Sequence, residues 1–155
     1  MTLLLRAAPL LLFFATLTCH AQSTMDSSKT ALNLDRYQWK NRLLLVFAPS
    51  VKSPPYETQM QLFDPEEAGF KDRDLVLFRV LDQGESSVGE ERLSSADAGQ
   101  LREHFGVAPG DFSVILVGKD GGEKRRDDTP VKTSAIFDEI DAMPMRQREM
   151  REQRN

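Results

Sequence analysis

Three unbroken apolar runs constrain this chain most: Leu43-Leu44-Leu45-Val46-Phe47-Ala48, Leu75-Val76-Leu77-Phe78-Arg79-Val80-Leu81 and Phe112-Ser113-Val114-Ile115-Leu116-Val117. A strand with one wet face alternates apolar and polar residues. None of these runs alternates cleanly, so each is expected to be a strand buried on both faces. Such strands need helices above and below them, and the intervening sequence supplies helical patterns. Ser53 is placed to cap a helix with Pro54 at its first position, and Tyr56, Met60 and Phe63 fall on one side of it. Asp64-Pro65-Glu66-Glu67 restarts a short turn with capping-box character, expected to stop at Gly69. Ser94 or Ser95 opens another helix whose Ala98, Leu101 and Phe105 share a stripe and which Gly106 closes. Lys119-Asp120-Gly121-Gly122 reads as a turn, Glu123-Lys124-Arg125-Arg126 as a charged edge strand, and Ser134 to Met143 as a last helix burying Ile136, Phe137, Ile140 and Met143. The order strand, helix, strand, helix, strand, hairpin, strand, helix defines an α/β class. It is that of a thioredoxin-like three-layer sandwich, a central mixed sheet of about four strands with helices on both faces.

The N-terminus carries one early positive charge, Arg6, then an apolar run from Ala7 to Leu17 and the small-residue pattern Cys19-His20-Ala21. This is the build of a secretory signal peptide over residues 1–21, with a mature start at Gln22. The run falls short of the roughly 20 apolar residues of a membrane span, so no transmembrane segment is expected in the mature chain, which should be secreted or periplasmic. Thr18 before Cys19 is a poor fit to lipoprotein processing. Residues 22–33 read as a polar, disordered leader, 34–144 as the thioredoxin-like domain and 145–155 as a charged helical or frayed tail. Order is expected to start at Leu34, with Tyr37 and Trp39 capping an edge of the core. Cleavage removes Cys19, the single cysteine of the chain, and with it any disulfide, thiol nucleophile or cysteine–metal site. A net charge of −4 without a basic stripe argues against nucleic acid as a partner.

Four segments carry a resemblance: Tyr37-Gln38-Trp39-Lys40-Asn41-Arg42, Arg73-Asp74, Lys119-Asp120-Gly121-Gly122 and Asp141-Ala142-Met143-Pro144-Met145-Arg146. Together they resemble the domain-of-unknown-function 4174 family, whose relatives include coiled-coil domain-containing protein 80 and the sushi-repeat-containing proteins. The resemblance covers about Leu34 to Met150, and the MPMR segment is its most specific part. It implies a thioredoxin-like fold in exported proteins, with animal members linked to extracellular matrix and adhesion. It brings no catalytic residues with it.

Thioredoxin chemistry needs a low-pKa cysteine at the N-terminus of the first helix. Here Ser50 and Ser53 hold the Cys-x-x-Cys spacing with hydroxyls, which do not cycle between oxidation states and ionise near neutral pH only beside a strong base. No proline falls squarely before the third strand, where thioredoxins carry one. The turn could still bind an anion through free N–H groups and Lys52, or Ser53 could be a cap and nothing more. His104 reads as a solvent-facing helix residue. Asp64/Glu66/Glu67, Glu90/Glu91 and Asp127/Asp128 lack the ligand spacing of a calcium loop, so neither a metal nor another cofactor is expected. Arg73-Asp74 reads as an ion pair or cap before a buried strand. Pro144 disfavours the helical conformation at Met143, so the helix should end or kink there. Beyond it, Arg146 with Glu149, and Arg148 with Glu152, have pairing distance on a solvated helix. Met145 and Arg146 are candidates for a partner-binding ridge, and Lys119 and Asp120 for a polar site on the turn. Three functions stay open: an exported cysteine-free binding module for an envelope or extracellular protein or glycan, a hydrolase-like enzyme using Ser50 or carboxylates, and a degenerate peroxiredoxin or thioredoxin relative.

Overall fold

The computed structural model describes residues 33–154; the signal-peptide expectation and, apart from Asn33, the leader expectation lie outside them. In chain order the elements are β1 (Arg42–Ser50), α1 (Pro54–Phe63), α2 (Glu67–Asp72), β2 (Leu75–Gln83), β3 (Ser86–Val88), β4 (Glu91–Leu93), α3 (Ser95–Phe105), β5 (Ser113–Val117), β6 (Glu123–Asp127), α4 (Thr133–Ala142) and α5 (Pro144–Glu152). They form one mixed sheet in the order β4-β3-β2-β1-β5-β6. β1 and β2 are parallel, joined by the crossover through α1 and α2, and β5 runs antiparallel to β1 with Leu43 opposite Val117.

β1 is central and sealed on both sides, as its unbroken apolar run requires. Leu43, Leu45 and Phe47 join Ala98 and Leu101 of α3 in one core layer. Leu44, Val46 and Ala48 join Tyr56 and Phe63 of α1 and Ile136 and Ile140 of α4 in the other. Each Val, Leu, Ile or Phe side chain among them, once fully buried, contributes roughly 1.5–3 kcal/mol. Gln59, wholly buried on α1, fixes the chain leading into α4: its Oε1 accepts from Val131 N at 2.8 Å and its Nε2 donates to Val131 O at 3.0 Å.

The sheet has six strands rather than about four. β3 and β4 are three residues each, too short to show alternation. They form a hairpin closed by Gly89-Glu90, where Gly89 takes the positive φ (+56°) that a two-residue turn requires. Gly69 does not stop a helix, because α2 runs through it to Asp72. Its bareness serves a long-range contact: a Cβ there would lie 2.5 Å from the Phe137 ring of α4. Tyr37 packs edge-on against Phe78 at 5.5 Å, but Trp39 is 65% exposed and caps nothing. On α4, Ile136 and Ile140 are fully buried, whereas Phe137 and Met143 are only partly so.

Candidate functional site: a clasped cleft at the α4–α5 corner

The sequence-derived candidates separate into two groups at opposite ends of β1, whose nine residues span roughly 30 Å at 3.3 Å each. At the C-terminal end, Ser50, Lys52 and Ser53 form the turn into α1. The two serine hydroxyls are engaged locally: Ser50 Oγ accepts from Lys52 N at 3.3 Å, and Ser53 N and Oγ both donate to Ser50 O, at 3.2 and 2.9 Å. Ser53 sits at the N-cap position of α1, but its side chain makes no capping bond. His104, exposed on α3, belongs to the other side of the sheet from α1 and cannot serve as a base here. The phenol of Tyr56, in the first turn of α1, is pushed above its ordinary value by burial.

The opposite end is where the structure concentrates its polar chemistry. Pro144 at the first position of α5 leaves Met143 extended (φ −68°, ψ 137°), so α4 ends and the chain turns back under the sheet. Arg146 therefore points inward. It is 3% exposed, not a surface anchor. Its Nη1 donates to Asp72 O at 2.7 Å, its Nη2 to the Asp72 carboxylate, and its Nε to Asp141 Oδ1 at 3.2 Å. Arg73 grips the other Asp141 oxygen at 2.5 Å while its guanidinium stacks on Phe137 at 4.1 Å. Arg42, 1% exposed, holds Glu149 through both Nη atoms at 3.2 Å and donates to Arg73 O at 2.9 Å. Lys119 completes the chain, with Nζ 2.8 Å from both Asp74 Oδ2 and Glu149 Oε1. Four cations and four carboxylates thus lock α5 to α2, β1, the start of β2 and the turn after β5.

The electrostatics follow from this geometry. Burial pushes the Asp141 carboxyl up, but hydrogen bonds from Arg73 and Arg146 outweigh it and hold the group below its ordinary value. Glu149 behaves alike: burial raises it, and Lys119 and Arg42 bring it down further. Of the two expectations for residues 145–155, a charged helix or a frayed tail, the helix is what forms, and it is docked through Arg146 and Glu149 rather than solvated all round. Arg146 and Glu149 approach to 3.8 Å as their spacing suggests, but Glu149 is committed mainly to Arg42 and Lys119.

Above this clasp lies a cleft of 370 Å³. Its floor is Arg42 and Lys119, one wall is Met143, Pro144 and Met145, and Asp120, Lys124 and Arg148 also line it. The structure thus brings together Lys119, Asp120 and Met145 of the sequence-derived candidates, places Arg146 beneath them, and leaves Ser50, Lys52 and Ser53 at the far end. Arg42, Asp72, Asp141, Lys124, Arg148 and Glu149 escaped sequence reasoning as site residues. The signal for several of them was present, because the four segments that carry the family resemblance all converge on this corner. Among the described residues no cluster of three or more histidines, cysteines, aspartates or glutamates could hold a metal ion, and no helix is long and apolar enough to cross a membrane.

Sheet order and layering define a thioredoxin-like domain, and solved structures share that fold. A reduced 2-Cys peroxiredoxin of Plasmodium vivax superposes with a TM-score of 0.56 at 16% identity, covering 74% of this chain and 84% of that one. Thioredoxin peroxidase I of Plasmodium yoelii gives 0.55 at 16% identity, covering 74% and 79%. The chain belongs to the domain of unknown function family DUF4174, whose model matches residues 33–149. It is 27% identical over 133 residues to the coiled-coil domain-containing protein 80 of Danio rerio, covering 76% of this chain and 15% of that protein. It is 29% identical over 137 residues to the sushi repeat-containing protein SRPX of Homo sapiens, covering 86% and 30%. The chain therefore spans less than a third of the length of these relatives.

Proposed function

We propose that the protein is an exported, thiol-free thioredoxin-like binding module rather than a thiol oxidoreductase. One observation carries this reading. The turn into α1, where the fold would present a reactive thiol to the helix N-terminus, holds Ser50, Ser53, Pro54, Pro55 and a buried Tyr56, with both hydroxyls engaged in local bonds. Support for export comes from the signal-peptide pattern of residues 1–21, and support for binding from the cleft at the opposite end. The relatedness in fold to peroxiredoxins keeps open a degenerate redox origin. A serine hydrolase is disfavoured, because Ser50 accepts a backbone hydrogen bond and the single histidine of α3 is across the sheet. The test is turnover: purified protein, free of added metal, is assayed for insulin-disulfide reduction and peroxide consumption. Rates at background are expected. Sustained turnover of either substrate overturns the reading.

A further inference from the structure

We infer that the cleft at the α4–α5 corner, together with Trp39, whose backbone is bonded to the turn flooring it, docks an acidic peptide segment of a partner protein that carries an aliphatic side chain. The inference rests on the binding-module reading and names the partner's chemistry.

Charge points first. In a chain of net charge −4, the cleft is lined by four cationic side chains and one carboxylate. Glu149 and Asp74 neutralise the floor from behind, which leaves the rim cations Arg148 and Lys124 as the charge an incoming group meets. Arg148 reaches no carboxylate among the described residues and makes only a 3.4 Å bond to Pro144 O of its own helix. Lys124 is a third exposed and shares its ammonium with Asp120 alone, at 2.7 Å. Gly118 makes that arrangement possible: a Cβ there would lie 2.6 Å from Lys124 Cε and 2.7 Å from Asp120 Oδ1. The missing side chain lets the lysine stem lie across the cleft. An acidic ligand can exchange with Asp120 for Lys124 and pair with Arg148 through its fork.

The wall points to an aliphatic group. Met143 and Met145 are each partly exposed on either side of Pro144, and thioethers adapt their shape to an inserted side chain. Trp39 supplies a third observation. It is a bulky residue in the left-handed region (φ +64°), where such residues are rarely found, yet its side chain is 65% exposed. Its backbone is pinned to the turn that floors the cleft, with Trp39 N donating to Lys119 O at 2.6 Å and Gln38 Nε2 to Asp120 O at 3.1 Å. Backbone strain without core burial fits a residue held out for a ligand. Buried aromatic and arginine side chains are the usual anchors of interfaces.

Trp39 is the single tryptophan of the chain and its backbone is bonded to the turn that floors the cleft, so its emission is a single-site probe next to that turn. The experiment titrates the full protein with a short peptide alternating Glu and Leu, with a Lys–Leu peptide and a heparin-type sulfated oligosaccharide as comparisons. A saturable blue shift with the Glu–Leu peptide is expected, weakening as salt rises. Arg148→Glu should raise Kd at least about tenfold, or 1.4 kcal/mol, with the melting temperature unchanged. Met145→Asp should do the same, while Lys52→Ala at the far end should do nothing. No shift, equal binding of the Lys–Leu peptide, or a response only to the sulfated oligosaccharide overturns the inference. Undiminished Glu–Leu peptide binding by both Arg148→Glu and Met145→Asp proteins means that the peptide binds elsewhere and overturns the cleft assignment; turnover in the redox assays would instead remove the functional reading itself.

Discussion

Replacing Arg146 by alanine tests the clasp most directly. Removing one member of a buried ion pair costs about 3–5 kcal/mol when its partner stays buried and uncompensated. Here the partners are not fully buried: the side chains of Asp72, Asp141 and Glu149 are 48, 31 and 24% exposed, so water takes over part of the lost interaction. Asp141 also keeps Arg73. Against that, the Asp72 carbonyl loses its 2.7 Å donor, and the stem of a side chain only 3% exposed leaves a void. The net expectation is a loss of about 2–3 kcal/mol. For a domain of this size that lowers the melting temperature by about 6–15 °C. Urea denaturation followed by far-UV circular dichroism reads the shift in midpoint, and an unchanged slope shows that the unfolded state has not altered. Arg148→Ala, on the same helix but outward, should move stability by no more than about 0.5 kcal/mol. Arg146→Lys should fall between, keeping a charge but losing the fork. If Arg146→Ala and Arg148→Ala are indistinguishable, Arg146 does not clasp anything and the reasoning fails.

Acid should loosen the same corner. The folded values of Asp141 and Glu149 are depressed, so their contribution is present above their unfolded values, near 3.9 and 4.3, and is lost as pH falls through the folded ones. Urea midpoints should therefore drop between about pH 5 and pH 3, and an Asp141→Asn/Glu149→Gln double variant should show a shallower drop; an equal slope contradicts the assignment. Gly69→Ala should destabilise by about 1–3 kcal/mol although alanine favours a helix, because the new methyl meets the Phe137 ring. In a Phe137→Leu background the penalty should shrink, and a stabilising Gly69→Ala would show that α4 yields freely. Ile140→Ala, fully buried beneath the sheet, should cost about 2–5 kcal/mol by calorimetry or urea.

What the sequence disclosed depended on range. β1, β2 and β5 were legible because burial on both faces writes an unbroken apolar run, and α3 because Ser94 and Gly106 sit at its ends. Ser94 Oγ accepts from Asp97 N at 3.1 Å, and Gly106 takes the left-handed conformation (φ +63°). The hairpin of β3 and β4 was not legible, since three residues show no period. Gly69 looked like a stop because local rules see a glycine in a helix as a defect, whereas its reason lies on α4. Arg146 looked exposed because RQREMREQRN is polar all along. Its principal partner, Asp72, lies 74 residues away, and no periodicity reports a contact of that separation. The break at Pro144 was legible; the direction it sends the chain was not.

The clasp and the cleft are one structure seen from two sides, and Glu149 tells them apart. Its carboxylate neutralises Arg42 and Lys119, which are also the floor of the cleft. Truncation after Arg146 removes it together with Arg148, so α5 should undock, stability should fall by about 2–3 kcal/mol and peptide binding should be lost with it. Glu149→Gln separates the two roles. The amide can keep a hydrogen bond to one of the cations, so the domain should stay folded at a smaller cost, about 1–2 kcal/mol. Meanwhile Arg42, 1% exposed, loses its carboxylate while Lys119 keeps Asp74 at 2.8 Å, so the floor gains one uncompensated positive charge. An acidic peptide entering the cleft would then supply the missing carboxylate. The Glu–Leu peptide should therefore bind Glu149→Gln more tightly than wild type, by about three- to tenfold, at a cost in stability, with Trp39 emission reporting the first and urea the second. A folded Glu149→Gln protein that binds the peptide no better than wild type would mean that the floor cations never face the ligand. The cleft would then be a by-product of the clasp.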